Sequence, residues 1–232
     1  MPGPRSWARL REFAPNLVAS ACWLLALVSI PICSGGQSAG DTPIPTFGTT
    51  VVESAGLRGT IYLLPQGTSS IPKLKRLKPV GTIYTTRLNI PPRDFREGFP
   101  GITGRVEWFT IDYVGQFFVP ARADYRFGLV SDDGAKLYID ERSVIDNDGI
   151  HPPSACQAKV ELESGLHSVR LTYMQGPGLF VALQFFIAKL GEPWRVFDTR
   201  DFMSPETDGQ SRGLTGKKGV RKISGGDCWT GR

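Results

Sequence analysis

Histidine is scarce: the 232 residues contain two, His151 and His167. The four cysteines include no Cys-x-x-Cys pair and the histidines no His-x-x-x-His pair, so the ligand spacing of a zinc site is missing. No serine lies in a Gly-x-Ser-x-Gly elbow, and no glycine loop has the phosphate-binding pattern. His151 precedes Pro152-Pro153 and His167 stands at a strand start, places that suit structural or solvated side chains. With so few catalytic groups, the chain reads as a binding module and not as an enzyme. There is no internal repeat, and helical periodicity is missing over any long stretch of the body, which argues against a helical fold. The body also lacks net charge. Of the total of +5, +2 lies in residues 1–34 and +3 in residues 204–232, so residues 35–203 sum to zero. A neutral body has no long-range field to gather polyanions, and nucleic acid is not an expected partner.

What is present begins with an apolar run. Arg5, Arg9 and Arg11 precede Ala14 to Cys33, Pro31 breaks the run, and Ser34-Gly35-Gly36 follows. A basic region, an apolar region and small residues in that order read as a secretory signal cleaved near residue 36. An uncleaved membrane anchor is the alternative, because the run approaches the ~20 residues that a span needs. Either way the protein is exported, whether secreted, periplasmic or held at the cell envelope. Any membrane contact is through this segment alone. Cys156 and Cys228 then lie outside the cytosol, where they could pair or stay as separate thiols.

Residues 37–56 are rich in Gly, Thr, Pro and Ser and read as a linker. Residues 204–232 are polar, glycine-rich and basic, and read as a disordered tail. Between them, residues 57–203 alternate at period two, the signature of strands. Tyr125, Phe127 and Leu129 share a face. So do Val169, Leu171 and Tyr173, with Arg170 and Thr172 opposite, and Val181, Leu183, Phe185 and Ile187. Leu137-Tyr138-Ile139 and Val144-Ile145 flank Asp140–Ser143, a hairpin signal. Many short strands separated by turns make an all-β fold, an antiparallel sandwich or barrel. Trp108, Trp194 and Phe180 suit sugar faces if exposed, but core is the expected place for most large aromatics.

Residues 122–149 carry the most distinctive pattern: a strand, then Ser131-Asp132-Asp133-Gly134, then Leu137-Tyr138-Ile139-Asp140, a turn, and Val144-Ile145-Asp146. Glu163–His167 follows, then Tyr173 with Gly176-Pro177-Gly178 and Val181-Ala182-Leu183. In this order the motifs resemble the PA14 domain, over about residues 57–190. The resemblance implies a β-sandwich or barrel that often binds carbohydrate. In the adhesin members a pair of aspartates joined by a cis peptide holds calcium against sugar hydroxyls. Here those positions are Asp132 and Asp133, followed by Gly134. The adhesins add an asparagine from a later loop, where this chain has Gln175 and Gly176. Calcium is therefore the implied cofactor, and a cell-surface glycan the implied partner.

Asp132-Asp133-Gly134 is equally a composition for a tight turn that needs no ion, since aspartate side chains bond nearby backbone and glycine relieves the bend. Asp146-Asn147-Asp148-Gly149 is a second oxygen-rich turn with the same two readings. The basic segment Lys73–Lys78 is either a solvated patch or a seat for an anionic glycan or phosphate. Three functions stay open: a calcium-assisted carbohydrate-binding or adhesion module, a structural or protein-interaction module at the envelope, and an accessory domain of a glycan-processing system.

Overall fold

The computed structural model describes residues 56–102, 104–203 and 220–230. In chain order the strands are β1 (Leu57–Leu63), β2 (Pro79–Thr85), β3 (Asn89–Asp94), β4 (Phe109–Val119), β5 (Ala123–Asp132) and β6 (Ala135–Ile139). They continue with β7 (Arg142–Asn147), β8 (Ser154–Leu162), β9 (Gly165–Gln175), β10 (Phe180–Lys189), β11 (Arg195–Val196) and β12 (Val220–Thr230). They form two antiparallel sheets, ordered β2-β1-β4-β9-β6-β7 and β11-β10-β5-β8-β12, with β3 also paired to β10. Residues 1–36, read above as a signal, residues 37–55 of the segment read as a linker, and residues 204–219 lie outside the described residues.

The period-two pattern sets which side chains fill the sandwich. Val169, Leu171 and Tyr173 of β9 face Phe127, Leu129, Leu183 and Phe185 of the other sheet in one buried cluster. The resulting core is rich in aromatic rings: Tyr173 stacks on Phe99 at 5.0 Å and Phe185 meets Phe197 at 4.6 Å. Full burial of side chains of this size stabilises by about 1.5–3 kcal/mol each, which is why alternation dominates the register. β10 is covered on both faces, for Val130, Ala155 and Phe186 form a second small cluster with Trp194 and Val196 on its outer side. Phe180, by contrast, is 44% exposed, so the expected core place is not where it sits.

The β6–β7 hairpin turns on Asp140 and Glu141, both at positive φ (48° and 65°), with Ile139 opposite Arg142. Two left-handed residues in a two-residue loop match the twist of the flanking strands. The Asp140 carboxylate ties the turn down, accepting from Ser168 N at 2.9 Å and meeting His167 Nδ1 at 2.7 Å.

Two expectations about the C-terminal region change. Residues 220–230, assigned above to a disordered tail, form β12, which pairs with β8. The low apolar content of that stretch hid the strand, because the partner and not the alternation holds it. Cys228 lies directly opposite Cys156 across this pair, and the two form a disulfide closing 72 residues. The alternative of separate thiols is set aside. A loop of that length is worth about 4 kcal/mol in chain entropy.

Candidate functional site

β5 ends at Asp132, and β6 begins at Ala135, leaving Asp133 and Gly134 as the link. At this end of the sandwich the link meets the β7–β8 loop at residues 148–151 and the β9–β10 loop at 176–178. The close approach favours glycine at two positions. A Cβ on Gly134 would lie 3.0 Å from Gly149 N and 3.1 Å from Asp148 Oδ1, and one on Gly176 would lie 2.4 Å from Ile150 Cδ1. A side chain at Gly134 would press on the main chain of the β7–β8 loop, and one at Gly176 would displace the Ile150 side chain.

Asp133 is the knot of this junction. Its Oδ1 accepts from His151 N at 3.1 Å and its Oδ2 from Gly176 N at 2.7 Å, so one carboxylate joins both neighbouring loops to its own. It is 2% exposed. Burial pushes its pKa up, and the two backbone N–H groups oppose that shift. Asp132, 4% exposed, is treated differently. Among the described residues nothing donates a hydrogen bond to its carboxyl. Burial, and then repulsion from Asp133, push its pKa up to about 8. The peptide bond between the two is cis.

Gln175 lies in the same region but points inward. It is fully buried, its Oε1 meets the Tyr173 hydroxyl, and its Nε2 donates to Phe180 O at 3.1 Å. The same Tyr173 hydroxyl lies 2.6 Å from the Asp132 carbonyl oxygen, so its single proton is shared between the two acceptors. Gln175 thus braces the backbone beneath the aspartates, with both ends of its amide bonded within the chain. Gly176 stands at the site through its N–H on Asp133, and Gly178 N donates to Glu107 Oε1 at 2.7 Å. Sequence inspection did not single out Glu107. Only the fold brings it beside the loop after β9, 71 residues away.

The second oxygen-rich turn is structurally engaged. Asp146 and Asp148 both pair with Lys136, at 3.2 and 3.0 Å, and Asn147 bonds Ser131 and Ser154. His151 directs its ring nitrogens at Asn147 O and Pro152 O. His167, 1% exposed, pairs with Asp140, which lies past the opposite end of β6 from the aspartate link. Both histidines hold backbone in place.

The donor set at Asp132–Asp133 suits a hard cation. Calcium takes 6–8 oxygens in irregular geometry, and two adjacent carboxylates supply the charged part of such a shell. Among the described residues, no group of three or more His, Cys, Asp or Glu side chains is placed to hold a metal. A cation here would therefore take its other oxygens from backbone carbonyls, water or ligand hydroxyls. Calcium accepts that arrangement, whereas structural zinc needs four fixed protein ligands. The unpartnered Asp132 carboxyl is the group that such a cation would neutralise.

Residues 100–185 match the family model described as the PA14 domain. No curated protein sequence matches the chain. Among solved structures, the PA14 domain of the MpAFP antifreeze protein is similar, with 18% identity and a TM-score of 0.53 over 63% of this chain and 88% of that one. An anti-sigma factor domain-containing protein is similar at 18% identity and a TM-score of 0.50, over 67% of this chain. The chain spans about half of that protein's length, 49%. A PA14 sugar-binding domain from an RTX adhesin aligns at 18% identity and a TM-score of 0.48, over 62% and 96% of the two chains. At such identities the likeness is one of fold.

Proposed function

The chain carries a PA14 domain, and from that premise we propose that it is an exported carbohydrate-binding module whose ligand is held through calcium at Asp132 and Asp133. The observation that carries this reading is the buried Asp132 carboxyl, left without a hydrogen-bond donor beside a second carboxylate at a junction of three loops. A buried acid in that state costs stability unless a cation or proton neutralises it. Calcium bound there would supply open coordination positions for vicinal sugar hydroxyls. The chain's own residues hold the two carboxylates in place: Asp133 through His151 N and Gly176 N, and Asp132 through its carbonyl on Tyr173. Ile150, Leu179 and Phe180 leave apolar surface on the neighbouring loops, at 43%, 76% and 44% exposure, which suits the C–H face of a sugar ring. The Cys156–Cys228 disulfide supports an oxidising compartment and hence export.

Glycan-array binding of the full chain with calcium tests this, against the same array in chelator and with Asp132→Asn. Binding should fall by at least about tenfold in both arms, the loss of about 1.4 kcal/mol or more. Glycan binding that survives both arms would remove calcium from the mechanism. No glycan binding in calcium would remove the carbohydrate ligand.

A further inference from the structure

The outward faces of β6 and β9 carry Lys136, Tyr138, Arg170 and Thr172, alternating with the buried Leu137 and Leu171. The segment 71–76 lies across this face. Ile71 N donates to Asp148 Oδ1 at 2.8 Å, and a short turn at Leu74–Arg76 closes on Arg76 N to Lys73 O, 3.0 Å. Between segment and sheet runs a cleft of about 480 Å³ lined by Lys73, Lys75, Arg76, Lys136, Tyr138 and Arg170.

The charges in the cleft do not balance. Lys136 is matched by Asp146 and Asp148, and Arg170 by Asp112 at 2.8 Å. Lys73, Lys75 and Arg76 have no acidic partner among the described residues. Five cations thus face three carboxylates, with the excess on one side of the cleft. The Arg170 guanidinium lies 5.8 Å from the centre of the Tyr138 ring, which adds a flat apolar surface to the cationic wall. A volume of this order accommodates one or two sugar rings and falls within the usual range of ligand pockets.

We propose that this cleft is a second binding site, independent of the calcium reading, and that it takes an anionic polysaccharide bearing sulfate or carboxylate groups. The three unmatched cations receive the acidic substituents, and Tyr138 with Leu74 receives the ring between them. A nucleic acid is the less suitable polyanion. It needs a stripe of charge that follows a backbone, and the net neutrality of residues 35–203 confines the positive potential to the cleft.

The test uses the full chain in chelator, titrated with dextran sulfate, polygalacturonate, neutral dextran and a short DNA duplex. Dextran sulfate, polygalacturonate or both should bind, and binding should weaken as salt is raised to about 0.15 M, where charges are screened beyond ~8 Å. The combined change Lys73→Glu, Lys75→Glu, Arg76→Glu should lower affinity by about tenfold or more, as reversing an attractive charge cluster requires. Lys217→Glu with Lys218→Glu, the control for the basic C-terminal stretch, should lower it less than about twofold. Asp132→Asn should leave it unchanged, which separates this site from the calcium site. Lys75→Ala with Arg76→Ala provides a milder second variant that keeps the fold's other charges, and it is expected to lower affinity by about threefold. Failure of both anionic glycans to bind would overturn the proposal. So would equal binding of neutral dextran, tighter binding of DNA, or full retention of binding in the charge-reversed variant.

Discussion

Asp132, at the end of β5, and Asp140, just past the end of β6, are both aspartates withdrawn from water at strand ends. Asp140 meets His167 Nδ1 and accepts from Ser168 N. Burial pushes its pKa up, but His167 and the Ser168 N–H outweigh burial, and the net shift is downward. Asp132 has neither kind of partner, and its pKa rises to about 8. The difference separates two uses of one residue type. An acid given a cationic partner within the chain holds the fold together. An acid left without one keeps its capacity for a partner from outside.

The largest expected effect comes from breaking the satisfied corner. Asp140→Ala leaves Ser168 N and the buried His167 without their carboxylate, and should destabilise by about 3 kcal/mol, the scale for removing one member of a buried pair. Chemical denaturation at neutral pH measures this. A loss within about 0.5 kcal/mol, typical of an uninvolved surface site, would mean that the two corners are not different in kind.

Asp132→Asn sharpens the other half. In chelator at pH 8 to 9 it removes a buried charge without a donor, so the variant should be at least as stable as the parent, by a margin on the order of 1 kcal/mol. In calcium the order should reverse, because only the parent gains from the ion by mass action. A variant destabilised under both conditions would show that the carboxylate has a structural role after all.

A third effect is in pH dependence. Between its ordinary value of 3.8 and about 8, folded Asp132 keeps a proton that the unfolded chain releases. Stability in chelator should therefore fall as the pH rises through that interval. The His167 pKa is raised: burial lowers it, but the Asp140 bond and the Glu163 carbonyl outweigh that. Its contribution is complete below 6.5 and fades as the pH rises through the raised value. Asp140 behaves oppositely, its contribution being complete above 3.8 and lost as the pH falls through its lowered value. Thermal midpoints across pH 3–9 for the parent and Asp132→Asn separate these components. If the slope between pH 4 and 8 is the same in both, Asp132 is not its source.

Much of the fold was legible along the chain. Leu137-Tyr138-Ile139 and Val144-Ile145 announced their hairpin, and Val169, Leu171 and Tyr173 turned inward as the alternation required. β3 was not legible, because Asn89–Asp94 contains Pro91 and Pro92, residues that read against a strand. It is tolerated because β3 pairs with β10 alone. β12 was hidden for the opposite reason, since a polar, glycine-rich stretch has no alternation to display. Of the site, Asp132, Asp133, Gly134 and Gly176 were legible as a group, and all four meet at one junction. Gln175 was legible as a position but not as an orientation. An amide beside a loop can face in or out, and here Tyr173 and Phe180 draw it in. The basic segment was visible as a run of charge, while the sheet face that turns it into a cleft comes from strands about sixty or more residues away.

Local periodicity decided which side of each strand is apolar, because neighbouring side chains in an extended chain point to opposite faces whatever else happens. Residue order therefore sufficed for the all-β character and for most of the core. Whether an aspartate is neutralised, and whether a lysine faces a partner or a cleft, depends on which distant loops arrive beside it. Hydrogen bonds act only within a few ångströms and charges are screened beyond ~8 Å, so only the folded registers of β5, β6, β8 and β9 decided that Asp140 is satisfied and Asp132 is not.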